Sequence, residues 1–153
     1  MRLRLFFVLT LIGGLQSVIF CASVEEQTRL VKASRTGSLD TVSSLLEAGV
    51  SPNVKDIDGW TPLMYAAFNG HEDVVQALLN AEADSNHQDF HGRTPLMAAT
   101  YIGNETIVTA LLNAGADAHK TTRHGDTALK LAQRRKHKKI EQLLQHHRRS
   151  SQD

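Results

Sequence analysis

Residues 59–67 read Gly-Trp-Thr-Pro-Leu-Met-Tyr-Ala-Ala, and this short string decides the fold because the chain uses it three times. The second copy, Gly-Arg-Thr-Pro-Leu-Met-Ala-Ala-Thr, occupies residues 92–100, and a degraded third copy, Gly-Asp-Thr-Ala-Leu-Lys-Leu-Ala, occupies residues 125–132. The step from each copy to the next is the same, 33 in the numbering. A constant period of this length is typical of a stacked repeat architecture, a solenoid.

Each copy predicts a helix with a defined start and end. Pro62 stands at the first helical position, where a missing backbone N–H costs nothing, and Thr61 before it is a favoured N-cap residue. Gly70 then ends this first helix. A second helix with one apolar face is predicted over about residues 72–81. Because one such pair cannot bury its own apolar face, neighbouring pairs must stack.

A fourth, weaker unit precedes the three obvious copies. Leu30 stands one full period before Leu63, and other apolar and glycine positions match at the same offset. Ser23, followed by Glu26 three residues later, predicts a capping box at the start of the first helix of this unit. The sequence therefore contains four units.

The last unit shows the changes expected of the end of a stack. Glu141 occupies the position that holds valine in the two preceding units, whereas Ile140 and Leu144 remain apolar. A helix that is apolar on one side and polar on the other can cap the end of the stack, because its apolar side covers the core and its polar side faces solvent.

The pattern resembles the ankyrin repeat family, in which a 33-residue period carries a Thr-Pro-Leu-x-x-Ala core. The resemblance covers residues 24–147, and it departs from the family where Glu82 replaces a glycine and where Met64, Met97 and Lys130 replace a histidine. These departures imply reduced stability. The family implies an all-α repeat solenoid of four helix-turn-helix units with short β-hairpin fingers, at about residues 24–55, 56–88, 89–121 and 122–147.

Residues 1–23 resemble a secretory signal peptide, with a basic start over 1–4, an apolar run over 5–15 and small residues before a cut after Ala22 or Ser23. This predicts an exported protein, either periplasmic or secreted. Residues 148–153 form a basic and polar tail.

Two alternatives apply to the same N-terminal segment. The apolar stretch of residues 5–22 is just long enough to stay in place as a membrane anchor. Cys21 would be the acylated residue of a bacterial lipoprotein, although Phe20 before it is larger than the usual residue there. Cys21 is also the only cysteine, so the domain after it has no disulfide and must be stabilised by packing.

Charge is distributed unevenly along the chain. Residues 24–118 contain five basic and 13 acidic side chains, a net charge of −8, whereas residues 119–153 contain ten basic and three acidic ones, a net charge of +7. Such a basic end would attract phosphates, anionic lipid headgroups or an acidic protein. Alternatively, it is a cap that only keeps the protein soluble. The absence of interleaved aromatic residues disfavours nucleic-acid binding. This basic patch consists of Arg134, Arg135, Lys136, Lys138, Lys139, Arg148 and Arg149.

The family resemblance implies recognition residues at the finger tips and on the exposed edge of each first helix. Four of the five aromatic residues after the N-terminal segment occupy such positions, and only Tyr65 does not. Because aromatic residues and arginine are enriched at binding hot spots, we predict a protein-binding groove with Trp60 and Phe90 as its best candidates. Alternatively, Phe68 and Tyr101 pack between first helices and Trp60 shields a finger. The predicted partner-binding residues are Ile57, Asp58, Trp60, Phe68, Asn69, Phe90, His91, Arg93, Tyr101, Arg123, His124 and Asp126.

No catalytic, metal or cofactor motif is complete. His71 and Glu72 begin a zinc-protease motif that lacks its second histidine. Asn104 begins an Asn-x-Thr glycosylation acceptor, but its position before a second helix also fits a capping role. We therefore expect a monomeric, exported adaptor that holds a partner protein, without a cofactor and without catalysis. The alternatives are a secreted effector directed at a host, and an electrostatic tether to a polyanion or a membrane through the basic patch.

Overall fold

A computed structural model describes the backbone of residues 15–150 and the side chains of residues 24–147. Most of the predicted signal peptide or anchor lies outside the described residues, as do the predicted tail beyond 150 and the side chains of Cys21, Arg148 and Arg149. The described residues form eight helices and no strand: α1 Leu15–Thr36, α2 Leu39–Glu47, α3 Pro62–Asn69, α4 Glu72–Asn80, α5 Pro95–Ile102, α6 Glu105–Asn113, α7 Ala128–Arg135 and α8 Lys138–Ser150.

The helices stack in two layers. The first helices contact one another in the order α1, α3, α5, α7, and the second helices contact one another in the order α2, α4, α6, α8. Within each unit the first helix also packs on the second. Each unit therefore contacts mainly its neighbours, and the predicted all-α repeat solenoid is confirmed.

Threonine caps the first helices of the last three units, as predicted. The Oγ1 of Thr61 accepts the backbone N–H of Met64 at 3.3 Å, and Thr94 and Thr127 each accept the equivalent N–H at 3.2 Å. A proline follows the first two of these caps at the start of the helix. Each cap satisfies a backbone donor that the helix leaves open and contributes about 1 kcal/mol.

Two turns that favour glycine are built with other residues. Lys136 ends α7 with φ of +62°, at the position where Gly70 and Gly103 end α3 and α5. Glu82 also has φ of +62°, at the position that Gly115 holds one unit later. A residue with a Cβ is strained in this left-handed region, so both positions reduce stability.

A continuous apolar core runs through the pile. Leu30, Leu63 and Leu96 lie one repeat apart and are all buried, which places unit 1 in the same core as units 2 and 3. At the other end, Ile140 and Leu144 of α8 are buried as predicted. The last helix therefore closes the core while its other side meets solvent.

Two local predictions were wrong. The capping box at Ser23 does not exist, because α1 begins at Leu15 and passes through this residue without a break. Residues 15–36 contain no glycine or proline, so nothing stops the helix at that point. The fingers are turns and not β-hairpins, since the described residues contain no strand. No helix among residues 15–150 is long and apolar enough to cross a membrane.

Candidate protein-binding groove

Each finger is a tight turn closed by one backbone hydrogen bond across its base. The backbone N–H of Asp56 donates to the carbonyl of Trp60 at 3.0 Å, and the equivalent bonds one and two repeats later are 3.0 and 2.9 Å long. Inside the first of these turns, the N–H of Gly59 donates to the carbonyl of Asp56 at 3.0 Å as a turn bond. One bond across the base and one turn bond are too short a ladder to form a strand pair. The last two fingers are also joined, because the N–H of Arg123 donates to the carbonyl of His91 at 2.9 Å.

An acceptor side chain organises each finger from within. The Oδ1 of Asp56 accepts the backbone N–H groups of Asp58 at 3.0 Å and Trp60 at 2.8 Å. Asp89 and Thr122, which stand one and two repeats later, do the same in the next two fingers. These local side-chain bonds fix the turn without any strand.

Asp89 also links the second finger to the first. It is only 6% exposed, and its Oδ2 accepts the indole N–H of Trp60 at 3.0 Å and the Nε–H of Arg93 at 2.6 Å. Burial alone would raise the pKa of this carboxyl, but hydrogen bonds from the backbone and guanidinium of Arg93 and from the backbone of His91 outweigh it and lower the pKa. Asp89 is therefore an anion that holds Trp60 and Arg93 in place.

Asp56 plays the corresponding role for a tyrosine. Its Oδ2 accepts the phenol O–H of Tyr65 at 2.5 Å. Burial, together with this hydrogen bond and the charge of Asp56, raises the pKa of Tyr65 to about 12. Tyr65 stays protonated and ties α3 to its own finger.

Three aromatic rings from two units form a continuous line, which we call the aromatic strip: Trp60, Phe68 and Tyr101. The ring centroids of Trp60 and Phe68 are 5.6 Å apart, and those of Phe68 and Tyr101 are 6.0 Å apart. The guanidinium of Arg93 lies 5.0 Å from the Trp60 centroid, and that of Arg135 lies 3.5 Å from the Tyr101 centroid. Both distances are within the range of cation–π attraction.

The strip lies in an open depression between the fingers and the first helices. Its larger part has a volume of about 500 Å³, and a smaller part of about 350 Å³ continues toward unit 1. We call the two parts together the groove. Its lining is Arg35, Asp58, Trp60, Met64, Tyr65, Phe68, Asn69, His91, Arg93, Met97, Ala98, Tyr101, Thr122, His124, Asp126 and Leu131.

Nine of the twelve predicted partner-binding residues line the groove, and the three that do not are all at finger tips. Ile57 is 93% exposed, and Arg123 is also exposed. Phe90 is 59% exposed, but one side of its ring lies against Gly59, where an added Cβ would be 3.5 Å away. The structure thus separates the groove from the tips and places Trp60, but not Phe90, in the groove.

Among the residues that shape the groove but were not predicted, three had a clear signal in the sequence. Asp56 and Asp89 organise the fingers. Their spacing of one repeat is the feature of the sequence that would have identified them. Arg35 lines the end of the groove near unit 1. It stands one repeat before Phe68, so the register of the repeats would have found it.

The predicted basic patch divides between two sides of the molecule. Arg134 forms two hydrogen bonds with the carboxylate of Asp126, at 2.6 and 3.1 Å, which lower the pKa of Asp126. Arg135 lies over Tyr101 in the groove. The lysines of α8 lie on the other side, since Lys139 is 3.5 Å from Glu105 of α6.

Asn104 has a structural role. Its Oδ1 accepts the backbone N–H of Ile107 at 2.9 Å and caps α6, while its Nδ2 donates to Glu72 of the preceding unit at 2.9 Å. Within the described part of the chain, no group of three or more His, Cys, Asp or Glu side chains is placed to hold a metal ion.

Comparison with known proteins agrees with the repeat geometry. A family model described as ankyrin repeats (3 copies) matches residues 7–89 and 81–153, which together span almost the whole sequence. None of the curated proteins matches the chain. Ankyrin repeats are in general protein-interaction modules. The 33-residue period, the two-layered stack and this match together show that the chain belongs to the ankyrin repeat family.

Proposed function

We propose that this chain is an exported ankyrin-repeat adaptor that holds a partner protein in its groove. The observation that carries the proposal is the aromatic strip. Phe68 is 39% exposed and Tyr101 is 44% exposed, although both rings belong to a line of packed aromatic residues. Large apolar side chains left open at the surface of a repeat protein mark an interaction site.

The geometry of the strip also favours tight binding. Trp60 is held by Asp89, and Tyr101 lies against Arg135, so a partner finds these side chains already ordered. Pre-ordered side chains reduce the entropy lost on association. Burying one such aromatic residue in a partner contributes about 2 kcal/mol or more.

Export is supported by the sequence of residues 1–23, which carries the basic, apolar and small-residue segments of a signal peptide. The domain that follows contains no cysteine and so has no thiol to oxidise in a periplasmic or extracellular setting. In this proposal the domain acts as a monomer without catalysis. A host-directed effector would use the same groove on a different partner.

Capture of the partner from the exported fraction of the source cells tests the groove. We expect Phe68→Ala combined with Tyr101→Ala to abolish capture, because the double change removes two of the three rings of the strip. Phe90→Ala is the matched control, since it removes an exposed aromatic side chain outside the groove lining. Circular dichroism should show unchanged helicity in all variants. Equal capture by the double variant and the wild type would disprove a role for the groove.

A second candidate function is an electrostatic tether to a polyanion or a membrane. It is favoured by the exposed side chains of Lys136, which ends α7, and of Lys138 and Lys139 at the start of α8. Neutralising several phosphates makes binding steeply dependent on salt, with losses on the order of a thousandfold between 50 and 200 mM for about six contacts. Binding of anionic vesicles that weakens in this way, and that requires these lysines, would favour the tether.

A further inference from the structure

One surface position of the first helix holds a different residue type in the two inner units than in the two outer units. Arg35, Phe68, Tyr101 and Arg134 are spaced one repeat apart and therefore hold equivalent places. The two inner units present aromatic rings there, and the two outer units present arginines. Since adjacent first helices pack about 8 to 10 Å apart, this line extends roughly 30 Å along the groove.

The acidic side chains around the groove are largely engaged within the protein. Asp89 binds Trp60 and Arg93, and Asp126 binds Arg134. Asp56, just outside the lining, binds Tyr65. Asp58 is the exception among the described residues, because its carboxylate makes no hydrogen bond or ion pair.

Three guanidinium groups in or beside the groove have N–H groups that donate to no other described residue. In the described part of the chain, Arg93 uses only its Nε–H in a hydrogen bond, and Arg135 makes only its contact with the ring of Tyr101. The side chain of Arg35 makes no hydrogen bond or ion pair with residues 24–147. An arginine stacked on an aromatic ring keeps its N–H groups at the edge, where they match a carboxylate in two-point geometry.

We infer that the groove binds an extended acidic peptide segment of its partner, in which pairs of carboxylates alternate with pairs of large apolar side chains, so that both kinds lie on the strand face turned toward the groove. The carboxylates pair with Arg35, Arg93 and Arg135, while the apolar side chains lie on Phe68 and Tyr101. A strand rises about 3.3 Å per residue, so about nine residues fill the groove. This inference rests on the proposed function and adds the chemistry of the bound segment.

The surrounding charge favours a peptide over a nucleic acid. Residues 24–118, which supply most of the groove, carry a net charge of −8. This field opposes every anionic ligand, and it opposes a nucleic acid strand, which is charged at every phosphate, more than a peptide in which only about half of the side chains are charged.

Trp60 is the only tryptophan in the chain and lies in the groove, so its emission reports on binding directly. The experiment titrates the full-length chain with a nine-residue peptide of the repeating sequence Glu-Glu-Leu-Leu, here called the Glu/Leu peptide. The comparison ligands are a Gln/Leu peptide, a Lys/Leu peptide and a nine-nucleotide oligothymidine. We expect the Glu/Leu peptide to shift the emission of Trp60 and to bind at least tenfold more tightly than the other three ligands.

The arginines are tested with the same titration. Arg35→Ala and Arg135→Ala should each weaken binding of the Glu/Leu peptide about tenfold, the effect of losing one hydrogen bond between charged groups. Arg29→Ala is the matched control, because it removes an exposed arginine of α1 that neither lines the groove nor contacts its aromatic rings, and it should leave the affinity unchanged.

Three outcomes would overturn the inference: equal or tighter binding of the Gln/Leu peptide, the Lys/Leu peptide or the oligothymidine, no binding of the Glu/Leu peptide, or unchanged affinity in both arginine variants. The groove itself is tested separately by partner capture. If the Phe68 and Tyr101 double variant loses its partner while the Glu/Leu peptide fails to bind, the proposed function stands and only the acidic chemistry is wrong. If capture survives the double variant, the proposed function fails.

Discussion

The fingers of the third and fourth units share one backbone turn but are held by different chemistry. In the third, the carboxylate of Asp89 accepts two backbone N–H groups at 2.9 and 2.8 Å and also binds Trp60 and Arg93. In the fourth, the hydroxyl of Thr122 accepts two N–H groups at 3.3 and 3.2 Å. The carboxylate that organises the inner finger therefore also locks it to the preceding finger as a buried charge, whereas the hydroxyl that organises the outer finger bonds only to the backbone of its own finger.

The largest effect should come from removing that buried charge. Asp89→Ala leaves the indole N–H, the Nε–H of Arg93 and two backbone N–H groups without their acceptor, and we expect it to lower the free energy of unfolding by about 3 kcal/mol. Thr122→Ala is the matched change in the outer finger and should cost about 1 kcal/mol or less. Urea unfolding followed by circular dichroism measures both. Equal losses would contradict the contrast between the two fingers.

The same contrast should appear in the pH dependence of stability. The pKa of Asp89 is lowered in the folded chain, so the stability that this carboxylate contributes is fully present above its unfolded pKa near 4. That stability is lost as the pH falls from there through the lowered folded value.

Unfolding of the wild type and of Asp89→Asn, measured from pH 6 to pH 2, isolates this contribution. The difference in stability between the two proteins should shrink as the pH falls below about 4. A difference that stays constant across this range would show that Asp89 is not a stabilised anion.

A smaller effect is expected at Glu82, which occupies a left-handed turn position that favours glycine. Glu82→Gly relieves the strain of a left-handed residue and should raise stability by about 1 kcal/mol. Glu82→Ala is the matched control, because it keeps a Cβ at the same φ and should bring no such gain. Thermal unfolding distinguishes the two, and an equal gain in both variants would point to charge instead of backbone strain.

The tie between α3 and its own finger should have an effect of similar size. Tyr65→Phe removes the O–H that donates to Asp56 while keeping the ring, and we expect a loss of about 1 kcal/mol in urea unfolding. A loss as large as that of Asp89→Ala would mean that the first finger, like the second, depends on one buried carboxylate network.

The sequence predicted most of the fold because the features that set it are periodic and local. The Thr-Pro start of a helix and the glycine at its end are visible in a single unit, and the constant period is visible as soon as two units are aligned. The fingers were predicted less well, since one closing backbone bond in each does not make a strand. The start of α1 was also misplaced, because a Ser and a Glu three residues apart resemble a cap even inside a continuous helix.

The groove was predicted in outline but not in its details. The register located the exposed ends of the first helices, yet it gave no reason to expect that Trp60 would bind Asp89 of the next unit or that Arg135 would lie on Tyr101. These pairs join residues from different units, and their contact depends on how closely the units stack. Arg35 is different, because the register alone places it at the position equivalent to Phe68.

Amide hydrogen exchange of the full-length chain, alone and with its captured partner, locates the surface that the partner covers. Binding in the groove should add protection to the fingers and first helices that line it, over residues 56–69, 89–102 and 122–135, and leave α4, α6 and α8 unchanged. Protection gained on α4, α6 and α8 instead, with none in the groove, would contradict it.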